Sequence, residues 1–109
     1  MRLHDRYLPH TGKVTYEAKQ GEGTYGPIFG TAVTPERAAL DETQKLVRTA
    51  NGREAMSTAR IVLDPEHVLP LGSRVTLHPG TARARIATVI TTAEADWPRL
   101  PRFNEYALE

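Results

Sequence analysis

Apolar and polar residues alternate along this chain in short runs, and the alternation predicts strands rather than helices. Val14, Tyr16 and Ala18 alternate with polar neighbours, as on a strand with one face buried. Ile61, Val62 and Leu63 continue a strand until Asp64-Pro65 ends it, because proline has no amide to donate to a ladder. Leu71-Gly72-Ser73 marks a turn, Arg74 to Leu77 a short strand, and Pro79-Gly80 a second turn. Residues 82–92 predict a long strand with Ala84, Ile86 and Ile90 on one face and Arg83, Arg85, Ala87 and Val89 on the other. Trp97, Pro98 and Pro101 fall in a connecting loop, and Phe103 to Leu108 forms a last strand. Short strands at regular spacing with glycine and proline turns make an all-β domain, a small barrel or a sandwich.

Three segments need separate treatment. Residues 45–63 carry Asn51-Gly52, the strongest two-residue hairpin signal, between polar–apolar strand segments. Pairing about that turn sets Val47 opposite Met56 and Thr49 opposite Glu54, with Leu46 and Ala55 together on the other face. Residues 20–35 hold four glycines and two prolines, so a long loop without regular structure is expected there. Between them, Thr34 as N-cap and Pro35 at a first helical position would allow a weak helix through Ala38, Ala39, Leu40 and Leu46. Residues 1–12 form a polar arm ending at Pro9 and Gly12, which leaves residues 13–109 as one domain.

Composition removes several classes of function. A chain of 109 residues is one domain, and 39% hydrophobic residues give a lean core that oligomerisation can support. The net charge of +1 exerts no global pull on nucleic acid or acidic lipid. There are no cysteines, which removes disulfides, thiolate chemistry and zinc–thiolate sites. No apolar run approaches the roughly 20 residues of a membrane span, and the N-terminus has no signal-peptide core. A soluble domain of a reducing compartment is expected.

Candidate chemistry adds little to this. Gly21-Glu22-Gly23-Thr24-Tyr25-Gly26 fits the G-x-G-x-x-G pattern of phosphate loops. That pattern must open a helix, whose N-terminus supplies the amides, and Pro27, Gly30 and Pro35 leave no room for one. The letters also match a kinase phosphate loop, but the strand lysine, H-R-D and D-F-G motifs that accompany it are missing. The segment reads instead as a mobile loop in which Tyr25, Ile28 and Phe29 offer something to bury. His4, His10, His67 and His78 lack metal-ligand spacing, and Ser57 and Ser73 lack a nucleophile elbow. Asp64/Glu66 and Glu94/Asp96 read as solvated charge beside turns, and Arg83 and Arg85 as a solvated or intersubunit face that would also suit phosphate. Trp97 is either a loop anchor or a binding hot spot. The chain is not expected to be an enzyme, and no cofactor or metal is implied.

Three stretches in order carry a resemblance: LPHTGKVTYEA, then LVRTANGREAMSTARIVL, then LPLGSRVTLHPGTARARIATVI running on to FNEYALE. Together with the Tyr25-Gly26-Pro27 step, they resemble head-to-tail stopper proteins of long-tailed bacteriophages, from Leu8 to the end. The middle stretch is the most specific: a basic strand, an R-x-x-N-G-R-E turn and a small-residue strand ending in aliphatics. Seven additional residues precede the matching part.

The resemblance implies a small β-barrel with a long loop in its N-terminal half, a protruding hairpin, and residues 37–43 as strand rather than helix. It implies a ring of copies, six-fold, that sits in the virion neck below the portal and head–tail adaptor, closes the channel over packaged DNA and receives the tail with its terminator protein. Such a protein is made in the cytoplasm of the bacterial host and meets no membrane. On this reading Gly23, Thr24, Tyr25, Gly26 and Phe29 form a channel-gating loop, and Asn51 and Gly52 the hairpin turn. Leu46, Arg48 and Ala55, with Arg83 and Arg85, are the intersubunit residues; the arginines would meet Glu54, Asp64 or Glu66 of a neighbour. Two alternatives stand beside it. A tail terminator or head–tail adaptor has similar size and strand content. An SH3-like barrel that binds nucleic acid is suggested by Gly72-Ser73-Arg74-Val75 and the arginine-bearing strand after Pro79-Gly80.

Overall fold

The computed structural model describes Leu8 and residues 13–49, 51–95 and 102–109, all strands and turns. The rest of the N-terminal arm and the Trp97 loop lie outside the described residues. Ten strands follow in chain order: β1 (Val14–Glu17), β2 (Lys19–Gly23), β3 (Gly26–Phe29), β4 (Ala39–Asp41), β5 (Lys45–Arg48), β6 (Glu54–Ser57), β7 (Ala59–Leu63), β8 (Arg74–Leu77), β9 (Arg85–Ala95) and β10 (Phe103–Leu108). Six of them form one antiparallel sheet in the order β1-β8-β9-β10-β7-β4, curled into a small β-barrel. Residues 31–38 span the gap between its edges. Val33 exchanges both backbone hydrogen bonds with Tyr16 on the free edge of β1, and the chain then runs to β4 on the opposite edge.

The period-2 alternation fills the barrel. Val14 and Tyr16 of β1, Ile61 and Leu63 of β7, Val75 and Leu77 of β8, and Tyr106 and Leu108 of β10 form one buried cluster. Each such aliphatic contributes about 1.5–3 kcal/mol by leaving water. Long strand β9 starts at Arg85 rather than at residue 82, because residues 81–84 form a turn closed by the Ala84 amide donating to the Thr81 carbonyl at 3.1 Å. Its inward residues are Ala87 and Val89, whereas Ile86 is 65% exposed. Beyond them a bulge shifts the pairing from Leu108↔Val89 to Ala107↔Thr91, which turns Thr91 and Ala93 to the outer side of the sheet.

Two polar groups of contacts hold the segment that follows β7. The Arg37 guanidinium donates to both carboxylate oxygens of Asp64, Nε to Oδ2 at 2.9 Å and Nη2 to Oδ1 at 2.7 Å, with both residues buried. This ties the gap-spanning segment to the end of β7. At the other tie, the segment from β7 to β8 is held by two tyrosines. Tyr106 donates its hydroxyl to the His67 carbonyl at 2.7 Å and accepts from the Leu69 amide at 3.1 Å. The Tyr16 hydroxyl meets His67 Nδ1 at 2.8 Å. Burial raises both phenols above their ordinary range, which keeps Tyr106 a proton donor.

Strand positions agree with the sequence pattern for β1, β6 to β8 and β10, and Gly72 and Gly80 occupy the expected turns with positive φ. The helix allowed near Pro35 is absent; β4 occupies part of residues 37–43 instead. Arg37 and Ala38 are drawn into the interior there, and tertiary packing overrides a weak local preference. Residues 20–35 are likewise not an irregular loop: β2 and β3 pair across them. In the other hairpin, β5 and β6 pair as Leu46↔Met56, Val47↔Ala55 and Arg48↔Glu54, one residue out of the expected register. The ladder closes where the Thr49 amide donates to the Arg53 carbonyl at 2.7 Å, so the loop is one residue longer than a two-residue turn. Gly52 lies at φ +85° in it, the left-handed position of a longer hairpin loop. Open space surrounds the site, so only backbone strain opposes a side chain. Gly52→Val should therefore cost about 1–2 kcal/mol, and Gly52→Asn clearly less. Thermal melts of the two variants check this; equal melting points would mean that the turn does not use positive φ.

Candidate assembly surface

Two hairpins lie outside the six-stranded sheet, each a separate two-stranded unit. The first, β2–β3, pairs Gly21↔Ile28, Glu22↔Pro27 and Gly23↔Gly26, with Thr24 and Tyr25 at its tip. Gly26 takes φ +121° to close this tight end, a conformation open to glycine but strained for other residues. Tyr25 is fully exposed, touching nothing that would bury its ring. Three glycines and a proline in nine strand residues, Lys19–Gly23 and Gly26–Phe29, make weak strand formers, and a lone two-stranded hairpin is marginal in water.

Its base is fixed more firmly. The Gly30 amide donates to the Ala18 carbonyl at 2.8 Å, and the Lys19 amide to Ser73 Oγ at 2.9 Å. The Arg74 guanidinium lies 4.0 Å from the centroid of the Phe29 ring and is held there by Glu17, Nε to Oε1 at 3.2 Å and Nη2 to Oε2 at 2.9 Å. The five residues expected to act together thus separate. Gly23, Thr24, Tyr25 and Gly26 make the tip, whereas Phe29 lies at the base against Arg74 of β8.

The second hairpin, β5–β6, has two unlike faces. Val47 and Ala55 are half-buried above the outer face of the sheet, where Ala107 forms part of a cleft floor. Leu46, Met56, Arg48 and Glu54 point the other way and are exposed. Ala55 consequently does not share a face with Leu46 and Arg48, because the one-residue change of register exchanges its partner. Asn51 accepts from the Thr49 hydroxyl and helps to shape the turn.

Arg83 and Arg85 lie around an acid that the sequence did not mark. Glu42 accepts from His78 Nε2 at 2.8 Å, and its carboxylate is 3.4 Å from Arg85 Nη2 and 3.6 Å from Arg83 Nη2. Arg85 also donates to Thr58 Oγ1 at 3.1 Å. The His78 hydrogen bond, with Arg85 beside it, holds the Glu42 carboxyl below its usual range. The ionised form is therefore favoured by folding: its contribution is complete above the ordinary carboxylate range and is lost as pH falls through the lowered value. Both arginines thus lie beside the chain's own Glu42, and of the acids expected to meet them from a neighbour, Asp64 is buried against Arg37.

Other candidate groups are likewise engaged. Ser57 Oγ donates to the Ala59 carbonyl and Ser73 Oγ to the Pro70 carbonyl, so both hydroxyls serve the backbone. Among the described residues no cluster of three or more His, Asp or Glu side chains is placed to hold a metal ion. No protein-family model, curated protein or solved structure matches this chain at a significant level.

Proposed function

We propose that the chain is a structural protein of a phage neck, a head-to-tail stopper whose copies form a ring below the portal and adaptor. The observation that carries this reading is the β2–β3 hairpin, a glycine-rich arm fixed at its base and ending in a bare tyrosine. In a ring of copies such arms would converge on the axis, and weakly ordered arms close and reopen a channel at small cost. The order and spacing of the three sequence stretches support the same reading. The second hairpin, with apolar residues exposed on the face away from its own barrel, supports assembly.

An SH3-like nucleic-acid-binding barrel fits less well. Its candidate phosphate contacts lie against acids of the same chain, Arg74 against Glu17 and both Arg83 and Arg85 against Glu42. The test is genetic. Particles assembled without this chain are expected to yield heads that package DNA, lose it on purification and fail to join tails. Tailed, full particles from the deletion would refute the proposal.

A further inference from the structure

Two exposed apolar patches lie on opposite sides of the β5–β6 hairpin, and among the described residues nothing covers either. On the outward face Leu46 is 56% and Met56 49% exposed, as a directly paired couple with Arg48 and Glu54 one step along. The second patch belongs to the segment between β7 and β8, where Val68 is 66% and Leu71 42% exposed. Val68, Pro70 and Leu71 line an open groove of about 420 Å³ that also has Glu94 of β9 on its wall. Leu71 borders a neighbouring cleft together with Ala55, so this groove is reached from the side of the hairpin that faces the barrel. Leu46 and Met56 point away from it, because side chains alternate faces along a strand.

We infer that the occupant of this groove is the outward hairpin face of a second copy of the chain, with Leu46 and Met56 set against Val68 and Leu71. Alternation along β5 and β6 prevents a chain from filling its own groove in this way. The patches are different surfaces, so the contact is heterologous, and repetition produces a ring or an open filament rather than a closed dimer. Charge favours the same pairing. Among the described residues Arg48 makes no ion pair and stands beside Leu46; Glu94 also makes none and stands in the groove. Juxtaposed across the interface, they would fix its register more than its strength. The contact deepens the ring reading and rests on it for closure alone.

The chain has no cysteine, which makes cross-linking unambiguous. Met56→Cys and Val68→Cys are made as separate proteins of different tagged length, mixed at high concentration and oxidised. The expected product is the mixed disulfide, at least ten-fold above homodimers of either variant and above a mixture of Met56→Cys with Thr88→Cys. Adding Glu94→Arg to the Val68→Cys protein should remove most of it, and adding Arg48→Glu to its partner should restore it. Homodimer yields equal to the mixed yield, or a mixed yield no greater than the Thr88→Cys control, would overturn the inference. A strong mixed disulfide whose products grow only into open filaments would support this contact while contradicting the ring.

Discussion

Replacing Asp64 with alanine is expected to bring the barrel to the edge of unfolding, at a cost of about 3–5 kcal/mol. The magnitude follows from what remains behind. Arg37 is 6% exposed and donates through two nitrogens to Asp64, so removal of the carboxylate leaves a guanidinium charge in the interior with its principal acceptor gone. A small domain has about 5–15 kcal/mol of stability in total, and a lean core places this one toward the lower end. The position matters as well as the charge. The Arg37 segment spans the gap between the two edges of the six-stranded sheet, so its release exposes Ala38 and the adjoining core. The double variant Arg37→Met/Asp64→Leu should recover most of the loss, since well-packed apolar replacements of buried ion pairs are often neutral. Urea denaturation followed by circular dichroism measures both. A single variant within about 1 kcal/mol of the parent would mean that water reaches the pair and that the segment is not a structural tie.

The other large effect is functional and leaves stability alone. Exchanging Glu22 to Pro27 for Asn-Gly shortens the β2–β3 hairpin to a tight turn between Gly21 and Ile28, which already face each other. The removed residues contribute no side chain to the buried core, and their tip residue Tyr25 is wholly exposed. Loop closure changes slowly with length, so the melting temperature should stay within a few degrees of the parent. The base contacts, Gly30 to Ala18 and Phe29 on Arg74, remain. Particles assembled with the shortened chain should join tails normally and lose packaged DNA. Retention of DNA at the parental level would show that the hairpin is not the closing element. Loss of tail joining together with loss of DNA would assign it to docking instead.

The strands of the barrel were readable because burial on one face imposes the alternation that reveals them. Phe103 to Leu108 and Arg74 to Leu77 have the expected limits for this reason, and Gly72 and Gly80 are fixed by the backbone conformation their turns demand. Outside the barrel the same rule fails. The β2–β3 hairpin is built on backbone pairing between residues with low strand preference, so composition suggested an irregular loop. The β5–β6 register slipped by one because Asn51-Gly52 suits both a two-residue turn and the end of a longer one. That slip moved Ala55 off the face of Leu46 and put Met56 there, which changed the candidate assembly surface itself. Arg83 and Arg85 were legible as a charged pair but not as ligands of Glu42, since a partner more than 40 residues away leaves no local signal. Arg37 and Asp64 were missed on the same ground: a charge looks solvated in sequence until its partner is known.

The most direct measurement is difference imaging of the neck in particles that carry the chain and in particles lacking its gene. The account predicts a ring of extra density, six-fold, between the adaptor and the tail in the complete particles, with arms reaching the channel axis. It also predicts that this density is absent from DNA-depleted, tailless heads of the deletion. Identical necks in the two populations, or extra density located anywhere other than across the channel, would contradict it.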